Sequence, residues 1–266
     1  MRAREDANAE QRAARRHFGL LEMLINANAA RAPLGGRVYA VGDVHGRADL
    51  LDGLLEQIEA DAATHEGGKP SLVFLGDYVD RGLQSRQVID RLLALPRQRF
   101  DLYFLLGNHE AAMLEFLERP ETGFSWFALG GAETMFSYGV RVPTLKAGHG
   151  ELRQAANALR RAMPAAHLEF LKRLSLYVRL GDYLFVHAGL RPGRPLSKQS
   201  EQDMLSIREP FLKSRARWPY IVVHGHSPVT EAKRTHRRIA LDTGAYATGK
   251  LTAVRLEGAD VHFLTT

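Results

Sequence analysis

Between Val38 and Leu117 the chain repeats one pattern three times: a short apolar run, a glycine with polar residues, then an amphipathic stretch. The apolar runs 38–41, 72–75 and 102–106 read as buried strands. The stretches 49–60, 85–95 and 111–117 read as helices. In the first of them Leu50, Leu51, Leu54, Leu55 and Ile58 recur at helical spacing, and Pro96 ends the second. Parallel strands need crossover helices, so this repeat predicts an α/β fold with a parallel sheet. In such sheets ligands bind beyond the carboxyl ends of the strands, which is where the three glycine-containing turns fall.

Those turns belong to a series of five polar segments. They are Gly42-Asp43-Val44-His45-Gly46, Gly76-Asp77-Tyr78-Val79-Asp80-Arg81-Gly82, Gly107-Asn108-His109-Glu110, His187-Ala188-Gly189 and His224-Gly225-His226. An isolated Asp-x-His or Asn-His-Glu is most often a surface turn. Five in order, at least four of them after an apolar run, point to a two-metal hydrolase. Asp43 and His45 alternate by two and can face one side of an extended strand end. Asp77 closes the second strand and is placed to bridge two ions. Asn108 offers an amide oxygen, and His187 and His226 complete a second ion. Mixed oxygen and imidazole donors exclude a soft-metal site and suit Mn²⁺, Fe or Zn²⁺.

With 266 residues, 45% of them hydrophobic, the chain suits one large domain. Cysteine is absent, which excludes disulfides and thiolate ligands and agrees with a cytoplasmic location. No segment is long and apolar enough to span a membrane, and the apolar stretch 18–25, interrupted by Glu22, is not a secretory signal. The formal net charge of +6 describes either an Arg-rich solvated surface or an anionic partner. Lys213, Arg215, Arg217, Lys233, Arg234, Arg237 and Arg238 are opposed only by Glu209 and Glu231, so a basic rim beside the last motif is expected. Nucleic-acid binding is not expected, because no aromatic residues are interleaved as in a single-strand platform.

Residues 1–34 read as an N-terminal helical extension, with Leu20, Leu21, Leu24 and Ile25 on one stripe, ended by Pro33 and Gly35-Gly36. Residues 35–266 read as the catalytic domain. The region 120–180, with Trp126, Phe127 and Tyr138, is either a helical insertion over the sheet or a cap that shapes the substrate cleft. Its helical part is expected over 150–174, with Pro164 opening the second half. Strands are expected at 183–186, 220–223, 238–241, 251–256 and 261–264, forming a second sheet of mixed direction. His65, His149, His167 and His236 match no motif and read as surface or structural.

From about Arg37 to the C-terminus the chain resembles the phosphoprotein phosphatases, a family of calcineurin-like metallophosphoesterases marked by GDxHG, GDxVDRG, GNHE and two later histidine segments. The resemblance implies a β-sandwich of two mixed sheets flanked by helices. It implies that Asp43, His45 and Asp77 hold one divalent ion and that Asp77, Asn108, His187 and His226 hold the other, with Mn²⁺ the first expectation. His224 stands outside that ligand set. His109 becomes the general acid, oriented by Asp80, while a hydroxide bridging the two ions attacks phosphorus. Arg81 grips the phosphate, and Arg208, in Leu205-Ser206-Ile207-Arg208-Glu209-Pro210, is assigned as the second phosphate-binding arginine. Two ions, two carboxylates, one hydroxide and two arginines sum to about +3, which favours a phosphate monoester dianion.

The implied activity is a serine/threonine protein phosphatase acting on a phosphorylated protein or peptide, with tyrosine activity as an extension. The alternative on the same fold is a diadenosine tetraphosphate hydrolase or another nucleotide pyrophosphatase. Retention of Asp80 beside Arg81 is the feature that favours the first.

Overall fold

The computed structural model describes residues 31–33, 35–235 and 237–266. The expected helix over residues 1–34 lies almost wholly outside the described residues, as does His236. The first half alternates as expected: β1 (Arg37–Val41), α1 (Ala48–Ala62), β2 (Ser71–Phe74), α2 (Ser85–Leu93), β3 (Asp101–Phe104) and α3 (Asn108–Glu118). Strand β1 pairs in parallel with β2, and β2 with β3. Helix α3 begins at Asn108, earlier than the expected Ala111, so Asn108 and His109 stand on its first turn.

Short turns then carry the chain through α4 (Gly123–Trp126) and a π-type turn (Phe127–Gly131) into α5 (Ala132–Ser137), α6 (His149–Ala162) and α7 (Ala165–Lys172). The second half holds β4 (Tyr177–Leu180), β5 (Tyr183–Val186), α8 (Glu201–Ser206), α9 (Glu209–Leu212), β6 (Ile221–His224), β7 (Lys233–Arg234), β8 (Arg238–Ala240), α10 (Ala245–Thr248), β9 (Thr252–Glu257) and β10 (Asp260–Thr265).

Two five-stranded sheets result, ordered β10-β9-β1-β2-β3 and β4-β5-β6-β8-β7. Expectation and structure differ here. Strands β9 and β10 were expected in the second sheet, yet β9 pairs antiparallel with β1 and extends the first. Their alternating pattern suits either sheet. What decides is the free edge of β1, whose backbone groups would otherwise lack ladder partners. Strands β4 and β7 were not expected at all; β7 has two residues and β4 is half exposed, so neither shows a clear apolar pattern.

Residue alternation in β1 explains the layering. Val38 and Ala40 join Val73, Leu75, Phe185, Val223 and Ile239 between the sheets. Tyr39 and Val41 face the other way, toward Leu51, Leu54, Leu55 and Ile58 of α1. These α1 residues recur at three- and four-residue intervals and so form one buried stripe. On the far side of the second sheet, Leu184, Val186 and Val222 pack against Met204, Ile207 and Phe211 of the α8–α9 segment. The sandwich is therefore covered by helices on both outer faces, and the central parallel strands β1, β2, β5 and β6 are buried on both sides.

Candidate metal centre

Strands β1, β2, β3, β5 and β6 all end at one end of the sandwich, and the five polar segments follow them directly. Asp43, His45, Asp77, His109 and His187 are nearly fully buried there. Among the described residues the non-glycine positions with positive φ are His45, Asp77, Asp80, Arg81 and His226, every one in a motif. Such backbone is costly for ordinary residues and persists where the surroundings over-determine it. Two glycines make the crowding explicit. A Cβ on Gly225 would lie 2.0 Å from Asp43 Oδ1, and one on Gly107 would lie 2.2 Å from Asp77 Oδ1.

One oxygen organises the cluster. Asp77 Oδ2 lies 3.3 Å from His187 Nε2, 3.6 Å from His45 Nε2 and 3.8 Å from His109 Nε2. His187 Nε2 is also 3.0 Å from Asn108 Oδ1. His226 lends its backbone N–H to Asp43 Oδ2 at 3.0 Å. Two groups of donor atoms emerge, His45–Asp77–His109 and Asp77–His187–His226, with Asp77 common to both.

The donor set fits a pair of divalent ions. His45 Nε2 and His226 Nε2 are buried without a hydrogen-bond partner. The opposite ring nitrogens of His45 and His187 face backbone carbonyls, Val79 O at 3.0 Å and Leu75 O at 2.9 Å, which turns each Nε2 toward the cluster. Metal-ligating histidines are commonly oriented in this way. Buried acids and imidazoles at this density also perturb one another. Burial raises the Asp43 carboxyl well above its usual value, helped by repulsion from Asp242 and Asp77. Burial works the same way on Asp77, but His187 and His109 outweigh it and hold that carboxyl well below. Burial depresses His45 and His226 to about 3 each. Burial opposes protonation of His187 too, yet Asp77 lifts it to about 10. Cations and these protons compete for the same atoms.

His109 differs from the other imidazoles. Its Nδ1 is 2.8 Å from Asp80 Oδ2, and that oxygen also accepts the Trp126 indole N–H at 3.0 Å. Asp80 Oδ1 accepts from the Thr134 hydroxyl at 2.7 Å. Burial alone would depress His109, but Asp77 and Asp80 raise it above its usual value. An imidazole held at Nδ1 with Nε2 toward the cluster is arranged to donate a proton there.

Arg81 sits beside the site with its guanidinium 4.7 Å from the Tyr246 ring centre. Arg208 is exposed just before α9, and its charge contributes to the depression of His226. His224 is buried against the Phe211 ring, with Nδ1 3.0 Å from Gly225 O, and belongs to neither donor group.

Three of the seven cations expected in the basic rim have partners of their own. Arg238 donates to the carbonyls of Phe211 and Leu212, Arg237 donates to Trp218 O, and Lys213 pairs with Glu209. Those cations are committed to backbone oxygens or a neighbouring acid. His65 and His167 are structural as expected, paired with Glu257 and Asp90.

Four residues were given no role of their own from sequence. Glu110 accepts backbone N–H groups from Asp77, Tyr78, Val79 and Gly107, joining the second and third motifs. Asp242 is buried near Asp43 and accepts from Gly244 N at 2.9 Å. Leu241-Asp242-Thr243-Gly244 follows a strand, as the other motifs do, and that was its available signal. Trp126 and Thr134 carried none, because they reach Asp80 only through the folding of the 120–140 region. That region is thus both a cover on the helical side and a wall of the site.

Comparison with known proteins agrees with this geometry. Residues 36–262 match the calcineurin-like phosphoesterase family. A bis(5'-nucleosyl)-tetraphosphatase PrpE [asymmetrical] of Anoxybacillus flavithermus is 27% identical over 237 residues, covering 81% of this chain and 88% of that one. The protein of the same name from Oceanobacillus iheyensis is 25% identical, covering 82% and 88%. Among solved structures, a provisionally named diadenosine tetraphosphatase superposes with a TM-score of 0.61 at 22% identity, over 89% of this chain and 98% of that one. The cold-active protein-tyrosine phosphatase of a Shewanella species superposes with a TM-score of 0.52 at 17% identity, over 88% and 83%. The chain belongs to the calcineurin-like phosphoesterases and is a metallophosphoesterase-type hydrolase.

Proposed function

We propose that the chain hydrolyses nucleotide phosphoanhydrides, with a bis(5'-nucleosyl)-tetraphosphate as the first substrate to consider. The observation that carries this reading is the similarity, over four-fifths of the chain, to proteins named bis(5'-nucleosyl)-tetraphosphatases. The expectation of a protein phosphatase takes second place on that ground.

The chain's own residues would act as follows. Asp43, His45 and Asp77 would hold one divalent ion, and Asp77, Asn108, His187 and His226 the other. Bound there, such ions supply an activated water and polarise a phosphoryl oxygen. Arg81 and Arg208 would hold the non-bridging oxygens of the polyphosphate. His109, held by Asp80, would give its Nε2 proton to the departing oxygen. The buried walls keep other water away from the reacting atoms.

A specific observation keeps the protein phosphatase reading alive. A seryl alkoxide is a far poorer leaving group than a nucleotide phosphate, so it needs a proton more. The Asp80–His109 pair, with both Asp80 oxygens hydrogen-bonded, is a well-held acid of that kind. The test is to strip metal from the protein, restore Mn²⁺, and supply diadenosine tetraphosphate and a phosphoserine peptide side by side. Metal-dependent cleavage of the dinucleotide in preference to the peptide is the expected result. Release of phosphate from the peptide alone would reverse the order of the two readings.

A further inference from the structure

Tyr246 is out of keeping with its surroundings. The metal-cluster side chains beside it are buried to within a few per cent, whereas Tyr246 remains 42% exposed. Of the exposed aromatic side chains among the described residues, Phe136, Tyr177 and Tyr246, it is the one with ring contacts to the site. The Arg81 guanidinium lies over its face at 4.7 Å, and the His45 ring stands 5.5 Å away at 84°.

The backbone beneath it is fixed. Helix α10 is a single turn between Gly244 and Gly249, both left-handed, at φ 68° and 71°. Gly244 N donates to the Asp242 carboxylate, and Arg47 Nη1 donates to Ala245 O at 3.1 Å. The turn is therefore pinned from the strand before it and from the end of the first motif. A partly exposed ring on a fixed base loses little freedom when another flat group stacks on it. Flanked by an arginine, it offers both halves of a nucleotide a partner: π-surface for the base and a guanidinium for the phosphate.

We infer that Tyr246 is a specificity-determining residue whose exposed ring stacks on the nucleobase of a nucleotide held by Arg81. The inference extends the proposed activity on nucleoside polyphosphates and rests on it for the choice of ligand.

Two ligands test it on the full chain loaded with Mn²⁺. Adenosine 5'-monophosphate and ribose 5-phosphate share sugar and phosphate and differ in the base. Their dissociation constants are measured by calorimetry. Wild-type protein is expected to prefer the nucleotide by about fivefold or more, the low end of what one stacked base contributes. In Tyr246→Ala and Tyr246→Leu the ratio of the two constants should collapse toward one. Tyr246→Phe, which keeps the ring, should retain it. Equal affinities in the wild type, or an unchanged ratio in both Tyr246→Ala and Tyr246→Leu, would overturn the inference. A ratio that behaves as expected in a protein that cleaves no dinucleoside polyphosphate would leave the stacking role standing and remove only the substrate reading.

Discussion

The Trp126 indole donates to the same Asp80 oxygen that holds His109, at 3.0 Å, across 46 positions of sequence. The helical segment after the third motif thereby supports the Asp80 carboxylate of the second and, through it, His109. Trp126→Phe keeps an aromatic ring against Phe116 and removes the N–H donor, together with part of the indole's volume at a buried position. A hydrogen bond to a charged group is worth roughly 1.5–3 kcal/mol. Turnover of an alkyl phosphate should fall about tenfold in Trp126→Phe, with two metals still bound. Equal losses on alkyl and p-nitrophenyl phosphate would show that Trp126 does not act through the acid.

His109→Ala should reduce turnover of substrates with poor leaving groups by about 10²–10⁴-fold. Metal content, measured by plasma emission on dialysed protein, should stay at two ions. The distinction matters because His109 Nε2 also stands 3.8 Å from Asp77 Oδ2, within the first donor group. Loss of an ion in this variant would make His109 a ligand.

Gly225→Ala places a methyl where Asp43 Oδ1 already lies 2.0 Å from the ideal Cβ. Either the carboxylate or the His224–His226 turn must shift. Metal stoichiometry should drop below two, and unfolding in urea should show a loss of about 1–3 kcal/mol from overpacking. Full metal occupancy in the variant would show that the turn relaxes without disturbing Asp43.

Metal-free protein should respond to pH through His187. Its folded pKa is lifted to about 10 by Asp77, against burial and from an ordinary value of 6.5. A raised folded pKa means that the native state binds more protons than the unfolded chain between those two values. Stability from this group is complete below about 6.5 and is lost as pH rises toward 10. Urea midpoints of chelator-treated protein should therefore fall from pH 6.5 to pH 9.5. Cations displace that proton, so metal affinity should rise over the same interval. A flat urea midpoint would mean that His187 is not charged in the metal-free fold.

Much of this arrangement could be read from residue order. Strand-forming runs, helical spacing in α1 and the five motifs each follow from local chemistry, and the structure brings Asp43, His45, Asp77, Asn108, His187 and His226 to one end of the sandwich. What could not be read depends on pairing at a distance. Whether β9 lies in one sheet or the other is set by the unpaired edge of β1, far away in the chain. Arg237 and Arg238 look like free cations in sequence, and only the approach of Trp218 and Phe211 shows where their hydrogen bonds go. Sequence placed Trp126 only in a helical insertion or cap, because an indole's polar tip has meaning only once its neighbour is known.

Glu110 acts as a mechanical clamp between two loops. One carboxylate grips three consecutive N–H groups of the loop after β2 and one of the turn before α3. The first loop carries Asp77 and the turn leads directly into Asn108, so the two behave as a single plate. Neither can be lengthened, swapped or re-aimed alone, and a designer who wished to graft this centre onto another sheet would have to move both loops together.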